Sequence, residues 1–94
     1  MSQFTVRIEL HNANAEDYNK LHKAMEADGF SRTITANDGT VYHLPTAEYD
    51  FEHASMSSGD VRDKAGAVAK KIKSDPAVLV TKSAGRAWRG LDEA

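Results

Sequence analysis

The segment Phe30–Phe51 constrains the fold of this chain more than any other, because it places two strand patterns around a tight-turn signal. Asn37, Asp38 and Gly39 tolerate the positive φ angles that a short hairpin turn needs. Pro45 has no backbone N–H to donate, so it belongs at a sheet edge, at a bulge or at the start of a strand. The segment therefore predicts a hairpin, with Pro45 as the point where its return strand can split.

Periodic apolar patterns flank the hairpin on both sides. Before it, an alternating strand pattern gives way to a helical stripe that opens at Asn14 and stops at Gly29. After it, a second helical stripe is stopped by Pro76 and followed by a short apolar strand. In chain order the predicted elements are a strand at Gln3–Leu10, a helix at about Ala15–Asp28, strands at Phe30–Ala36, Thr40–Leu44 and Ala47–His53, a helix from Ser57 or Ser58 to Asp75, and a strand at Ala77–Thr81.

This order predicts an α+β fold, a ferredoxin-like two-layer sandwich of βαββαβ type. Four antiparallel strands in the order 4-1-3-2 would carry both helices on one face and leave the other face open. We expect a single domain over residues 1–94, with the tail 82–94 as an edge strand or an ordered loop. The predicted core is Phe4, Val6, Ile8, Tyr18, Leu21, Met25, Ile34, Phe51, Val61, Ala65, Val68, Ile72 and either Leu79 or Val80.

Composition excludes several classes of protein. The chain has no cysteine, so neither disulfides nor thiolate metal sites support it, and a reducing cytoplasm is the expected compartment. No apolar run approaches the ~20 residues that a membrane span needs. No metal-site spacing, P-loop, dinucleotide-binding or hydrolase motif occurs, so we expect no metal and no other cofactor.

His22 is the first candidate for chemistry, because it borders the apolar stripe of the first helix. An imidazole titrates near neutrality and can act as a general acid or base. Lys20 and Lys23 lie beside it in sequence, and their charges are expected to lower its pKa. The alternative is a boundary histidine that covers the seam between helix and sheet.

The tail carries a second candidate, in which Arg86 and Arg89 flank Trp88. Guanidinium groups beside an indole can neutralise phosphate and stack a base, which is typical of single-stranded nucleic acid binding. The alternative is a tryptophan that closes one end of the core.

The strand after Pro45 carries a third candidate, an acidic face. If Tyr49 and Phe51 point into the core, Glu48, Asp50 and Glu52 point to the open sheet face. Such a face repels nucleic acid and suits a basic protein partner. The alternative is a charged surface that only keeps the sheet soluble.

A resemblance to a known family rests on Phe30-Ser31, Asp38-Gly39, Leu44 and the strand Glu48–Ala54 after an amphipathic helix. These residues resemble the GhoS family of type V antitoxins over roughly Phe4–Val80. The resemblance implies a ferredoxin-like fold and an endoribonuclease that cuts a toxin mRNA inside a bacterium. It also implies that basic residues of the first helix are functional.

The first-helix positions that match are Lys20 and His22, so the arginine character of the family is not kept. Lysine cannot reproduce the bidentate grip of arginine on phosphate. Our first hypothesis is a GhoS-like endoribonuclease that works without a metal, with His22 and Lys20 catalytic and Lys23 and Arg32 aiding RNA binding. The rival hypotheses are a non-catalytic phage or mobile-element protein that binds a basic host protein, and a homodimeric structural module without a ligand.

Overall fold

A computed structural model describes residues 1–94 and contains two helices and five strands. Capping boxes begin both helices: Asn14 and Asp17 exchange side-chain to backbone hydrogen bonds, and Ser57 does the same with Asp60. The elements are β1 (Ser2–Glu9), α1 (Ala15–Ala27), β2 (Thr33–Thr35), β3 (Val41–His43), β4 (Glu48–His53), α2 (Ser58–Lys70) and β5 (Ala77–Lys82).

The strands form two antiparallel sheets. One has three strands in the order β4-β1-β5, and the other is the hairpin of β2 and β3. The predicted single four-stranded sheet is therefore wrong, although three of its strands are neighbours as expected. Ser31 and Asp50 exchange two backbone hydrogen bonds of 2.8 and 2.7 Å, and this isolated bridge joins the hairpin to β4.

The side chain of Ser31 explains why pairing with β4 stops there. Its Oγ accepts a hydrogen bond from the backbone N–H of Thr33 at 3.2 Å. A serine hydroxyl that satisfies a nearby backbone group competes with a strand ladder and bends the chain. Beyond Ser31 the chain pairs with β3 instead of continuing along β4.

Pro45 splits the return strand, as the sequence predicted. β3 ends at His43 and β4 begins at Glu48, whose N–H donates to the carbonyl of Pro45 at 3.1 Å. Ala47 in this turn has a positive φ of 65°. In β4, which follows this turn, Tyr49 and Phe51 face the core.

The second helix is shorter than the sequence pattern suggested. It ends at Lys70, with Lys71 as its C-cap, whereas the apolar stripe continues to Ile72. Ile72 still packs against the core from the turn that follows. Neither helix of the chain is long and apolar enough to cross a bilayer.

One hydrophobic cluster holds the two helices on the same face of the three-stranded sheet. The core predicted from the sequence did not include Leu10, Phe30, Tyr49 or Ala69. Leu79 is 65% exposed, because β5 pairs Val78 with Ile8 and Val80 with Val6, and partners across an antiparallel ladder share a face. The cluster consists of Phe4, Val6, Ile8, Leu10, Leu21, Met25, Phe30, Tyr49, Phe51, Val61, Ala65, Val68 and Ala69.

Candidate functional site

His22 and Tyr49 form a buried polar pair between α1 and β4. His22 is 7% exposed and is the one polar or charged residue, tyrosine aside, among the buried residues of the chain. Its Nδ1 lies 2.7 Å from the Oη of Tyr49, which is fully buried. The apolar stripe of α1 turns His22 inward, and the alternation of β4 turns Tyr49 inward. The hydrogen bond gives the Nδ1 of His22 and the Oη of Tyr49 a partner.

Burial favours the neutral form of both members of the pair. It raises the pKa of Tyr49 above its usual value of 10.0. Burial also lowers the pKa of His22 from 6.5; the charge of Arg32 lowers it further, while Glu26 opposes both effects. The expectation that Lys20 and Lys23 cause this shift is wrong, because desolvation and Arg32 dominate.

The second ring nitrogen of His22 is free. No protein group hydrogen-bonds to its Nε2, yet the chain contains no fully buried side-chain nitrogen or oxygen without a partner. Nε2 must therefore reach the surface. The direction of the bond depends on the tautomer of His22. When Nδ1 donates its hydrogen to Tyr49, Nε2 carries the lone pair and can accept a proton from a bound ligand; when the hydroxyl of Tyr49 donates to Nδ1, Nε2 carries the hydrogen and can donate it.

The other residues predicted around His22 have different surroundings. Arg32 is half-buried and lies close enough to shift the pKa of both His22 and Tyr49. Lys20 lies on the exposed side of α1, where its Nζ is 3.7 Å from Glu16. Lys23 is exposed and forms no ion pair. Of the basic residues predicted around His22, Arg32 is the one whose charge lowers the pKa of His22.

Arg86 fixes the tail to the open face of the sheet. Its Nε donates to Ser83 Oγ at 2.9 Å, and its Nη2 donates to the carbonyl of Phe4 at 3.2 Å and to Asp50 Oδ1 at 2.7 Å. The side chains of Arg86 and Asp50 are 16% and 18% exposed. This guanidinium therefore links the tail to β1 and β4.

The rest of the tail folds against the hairpin. The N–H of His43 donates to Asp92 O, and the N–H of Ala94 donates to Val41 O, both at 2.9 Å. The ring of Trp88 meets that of Tyr42 edge to face, 5.7 Å between centroids. Of the two expected forms of the tail, an ordered loop fits better than an edge strand, because a single bridge is its only ladder contact.

Tail, hairpin and sheet border an open cleft of about 770 Å³. Its lining includes Gln3, Tyr42, Glu52, Arg86 and Trp88. We call this space the tail cleft.

Two of the three predicted acidic residues have partners within the protein. Asp50 binds Arg86, and Glu52 Oε1 accepts from Gln3 Nε2 at 2.9 Å. Glu48 lies opposite Arg7 in the β1–β4 register. The positive charge of Arg86 offsets the negative charge of Asp50 and so reduces the negative potential of the open face. No cluster of three or more His, Cys, Asp or Glu side chains suited to a metal ion occurs in the chain.

Arg86→Ala is expected to release the tail, because Asp50 and the carbonyl of Phe4 both lose their donor. Residues 84–94 should then become a preferred site of limited proteolysis, followed by mass spectrometry. Arg89→Ala is the matched control, since Arg89 is exposed and forms no ion pair. Equal protection of the tail in the Arg86 variant and in this control would contradict the anchoring role.

Two residues of these sites escaped the sequence reasoning. Tyr49 was considered as an inward-pointing residue of its strand but was not placed in the predicted core. A buried tyrosine hydroxyl needs a hydrogen-bond partner, and that requirement could have pointed to His22. Tyr42 gave no signal, because its contact with Trp88 depends on how the tail folds back.

A comparison with protein families identifies the class of this small α+β protein. The model of the family described as endoribonuclease GhoS matches residues 1–83 of 94, which include every helix and strand. The chain belongs to the GhoS family. A search of curated proteins and a search of solved structures found no match.

Proposed function

We propose that this protein is a cytoplasmic antitoxin that cleaves single-stranded RNA, with a toxin mRNA as its natural target and His22 as the general base. Membership of an endoribonuclease family supports the reaction class. The observation that carries the assignment of the base is the geometry of His22: Tyr49 holds Nδ1 at 2.7 Å, and Nε2 has no protein partner. A base oriented by a third group is the usual arrangement for activating a nucleophile.

The nucleophile in this scheme is the 2′-hydroxyl of the RNA itself. Nε2 of His22 takes the 2′-OH proton while the 2′-oxygen forms a bond to the adjacent phosphorus. The bond from phosphorus to the 5′-oxygen breaks, and that oxygen takes a proton from water. The products are a 2′,3′-cyclic phosphate and a 5′-hydroxyl, and bulk water later accepts the proton held by His22.

Positive charge near the reacting phosphate comes from Arg32. Its guanidinium lies within electrostatic range of the His22–Tyr49 pair, as its effect on both pKa values indicates. An arginine can neutralise the charge that builds on the phosphate oxygens in the transition state. Lys23 has no ion pair to break, and Lys20 can exchange its exposed contact with Glu16 for a neighbouring phosphate.

Incubation of the purified protein with a varied pool of end-labelled single-stranded RNA tests this function. We expect cleavage in the presence of EDTA, because a neutral imidazole needs no metal to take a proton from the 2′-hydroxyl. The 5′ fragments should end in 2′,3′-cyclic phosphate when analysed by mass spectrometry.

The matched substrates for this test are DNA and 2′-O-methyl RNA of the same sequences. Both lack the nucleophile and should remain intact. Absence of cleavage across the whole pool, or fragments with 5′-phosphate ends, would overturn this mechanism. The first result would favour the rival hypothesis, in which Glu48, Asp50 and Glu52 bind a basic protein.

A further inference from the structure

We propose that the tail cleft binds one unpaired nucleobase of single-stranded RNA, with Trp88 as the stacking platform. This inference rests on the proposed function in one respect only, that RNA is the ligand. It concerns a site away from His22. Tyr49 and Asp50 are neighbours in β4, and Tyr49 is buried in the core whereas Asp50 lines the tail cleft, on the opposite face of the strand.

The size of the tail cleft and its aromatic lining suit a nucleobase. Its volume of about 770 Å³ falls within the ~300–1,000 Å³ of small-ligand sites. Trp88 is half-buried and is held in place by its edge-to-face contact with Tyr42. A fixed indole beside open space is the arrangement on which a base stacks, and every base has a face to stack.

The charges of the lining residues determine which part of a nucleotide can enter the tail cleft. Arg86 is the only cation in the lining, and its Nε and Nη2 are already bonded to Ser83, Phe4 and Asp50. Asp50 and Glu52 contribute two negative charges against this single positive one. A phosphate is therefore repelled from the tail cleft, whereas a neutral base is not.

Glu52 adds a preference among bases. One of its carboxylate oxygens, Oε1, accepts from Gln3, and the other has no protein partner. A free carboxylate oxygen accepts a hydrogen bond from an exocyclic amino group, as acidic side chains do from cytosine N4. Cytosine carries such a group and uracil does not, so the tail cleft should prefer cytosine to uracil.

The sugar-phosphate backbone would stay outside the tail cleft. Arg89 follows directly on the tail segment that lines it, and it is exposed without an ion pair. It can neutralise a phosphate next to the bound base. The family match ends at residue 83, so Trp88 and Arg89 lie beyond the part of the chain that it accounts for.

Fluorescence of Trp88 tests the inference directly, because Trp88 is the only tryptophan of the chain. The titration uses the full-length His22→Gln variant, which keeps the RNA intact under the proposed mechanism. Hexacytidylate should quench the emission saturably and bind more tightly than hexauridylate. Glu52→Gln should remove most of this difference, and Arg89→Ala should reduce the salt dependence of binding.

A second measurement uses Trp88→Ala, with binding followed through a fluorophore on the RNA. Loss of one stacking platform should weaken the affinity for hexacytidylate roughly 10- to 100-fold. In the background with His22 intact, the same variant should raise the KM for a long RNA and leave kcat near the wild-type value, since the bound base is remote from the cleaved bond. Circular dichroism would verify that the variant is folded.

The outcomes separate this inference from the proposed function. Quenching by hexacytidylate in a protein that cleaves no RNA would support the tail cleft and overturn the nuclease mechanism. Cleavage without quenching by either hexanucleotide would overturn the tail cleft alone. Quenching by an oligoarginine peptide and by neither RNA would also overturn it, and would assign the tail cleft to a basic protein. Equal affinity for the two hexanucleotides would contradict the role of Glu52.

Discussion

Replacement of His22 by Gln is expected to slow RNA cleavage by about 100-fold or more, the usual contribution of a general base. Glutamine keeps a polar group near Tyr49 and so avoids leaving its buried hydroxyl without a partner. Its amide cannot accept the 2′-OH proton at neutral pH. The initial rate of cleavage of a labelled RNA measures the loss, and circular dichroism checks that the fold is kept.

His43→Gln is the matched control for this substitution. His43 is an exposed histidine of β3 whose only hydrogen bonds involve its backbone, so the same chemical change should leave the rate unchanged. Lys20→Ala provides a contrast, because loss of a phosphate contact should weaken RNA binding and flatten its salt dependence. Cleavage by the His22 variant at the wild-type rate would show that another group takes the proton.

The pH dependence of the cleavage rate tests the same role of His22 in the wild-type protein. Only the neutral imidazole can accept a proton, so the rate should fall as the pH drops through the pKa of His22. Burial and Arg32 place that pKa below 6.5, so the rate should fall at a lower pH than it would for a free imidazole.

The lowered pKa of His22 also affects stability. The unfolded chain binds the proton more readily than the folded protein does, so the free energy of unfolding decreases as the pH falls below 6.5.

The parts of the fold that could be predicted from the sequence are those determined by residues close together in the chain. Asn14 and Ser57 are short polar residues placed before an apolar stripe, and each begins a helix with the expected capping box. Pro45 divides the return strand for an equally local reason. The single four-stranded sheet failed at Ser31, where a side-chain hydrogen bond to Thr33 outweighs the β pattern that continues to Ala36.

The sites depend more on contacts between distant residues. His22 could be predicted as a boundary histidine, and the inward alternation of Tyr49 is visible in the sequence, but 27 residues separate them. Asp50 and Arg86 are 36 residues apart, and no pattern indicates that the tail returns to β4. Arg86 was expected to bind RNA through its charge. The structure instead bonds two of its nitrogens within the protein, which leaves Arg89 as the tail arginine available to a phosphate.

Truncation of Leu21 to Ala is expected to lower the free energy of unfolding by about 2–5 kcal/mol, because it leaves a cavity where α1 meets the sheet. Leu21 has no exposed surface and belongs to the single hydrophobic cluster. Ile8→Ala should lower the free energy of unfolding by an amount in the same range, since Ile8 is 2% exposed and belongs to the same cluster. Urea unfolding followed by circular dichroism measures both.

Leu79→Ala removes the same atoms from the opposite face of the sheet and is the matched control. Leu79 is 65% exposed, so its truncation removes little buried surface and should change the free energy of unfolding by at most about 0.5 kcal/mol. Comparison of the losses of unfolding free energy in the Leu21 and Leu79 variants therefore tests which face of the sheet the helices cover. A large loss in the Leu79 variant together with a small one in the Leu21 variant would invert the assignment of the core. Tyr49 would then point to solvent, and its bond to His22 could not form.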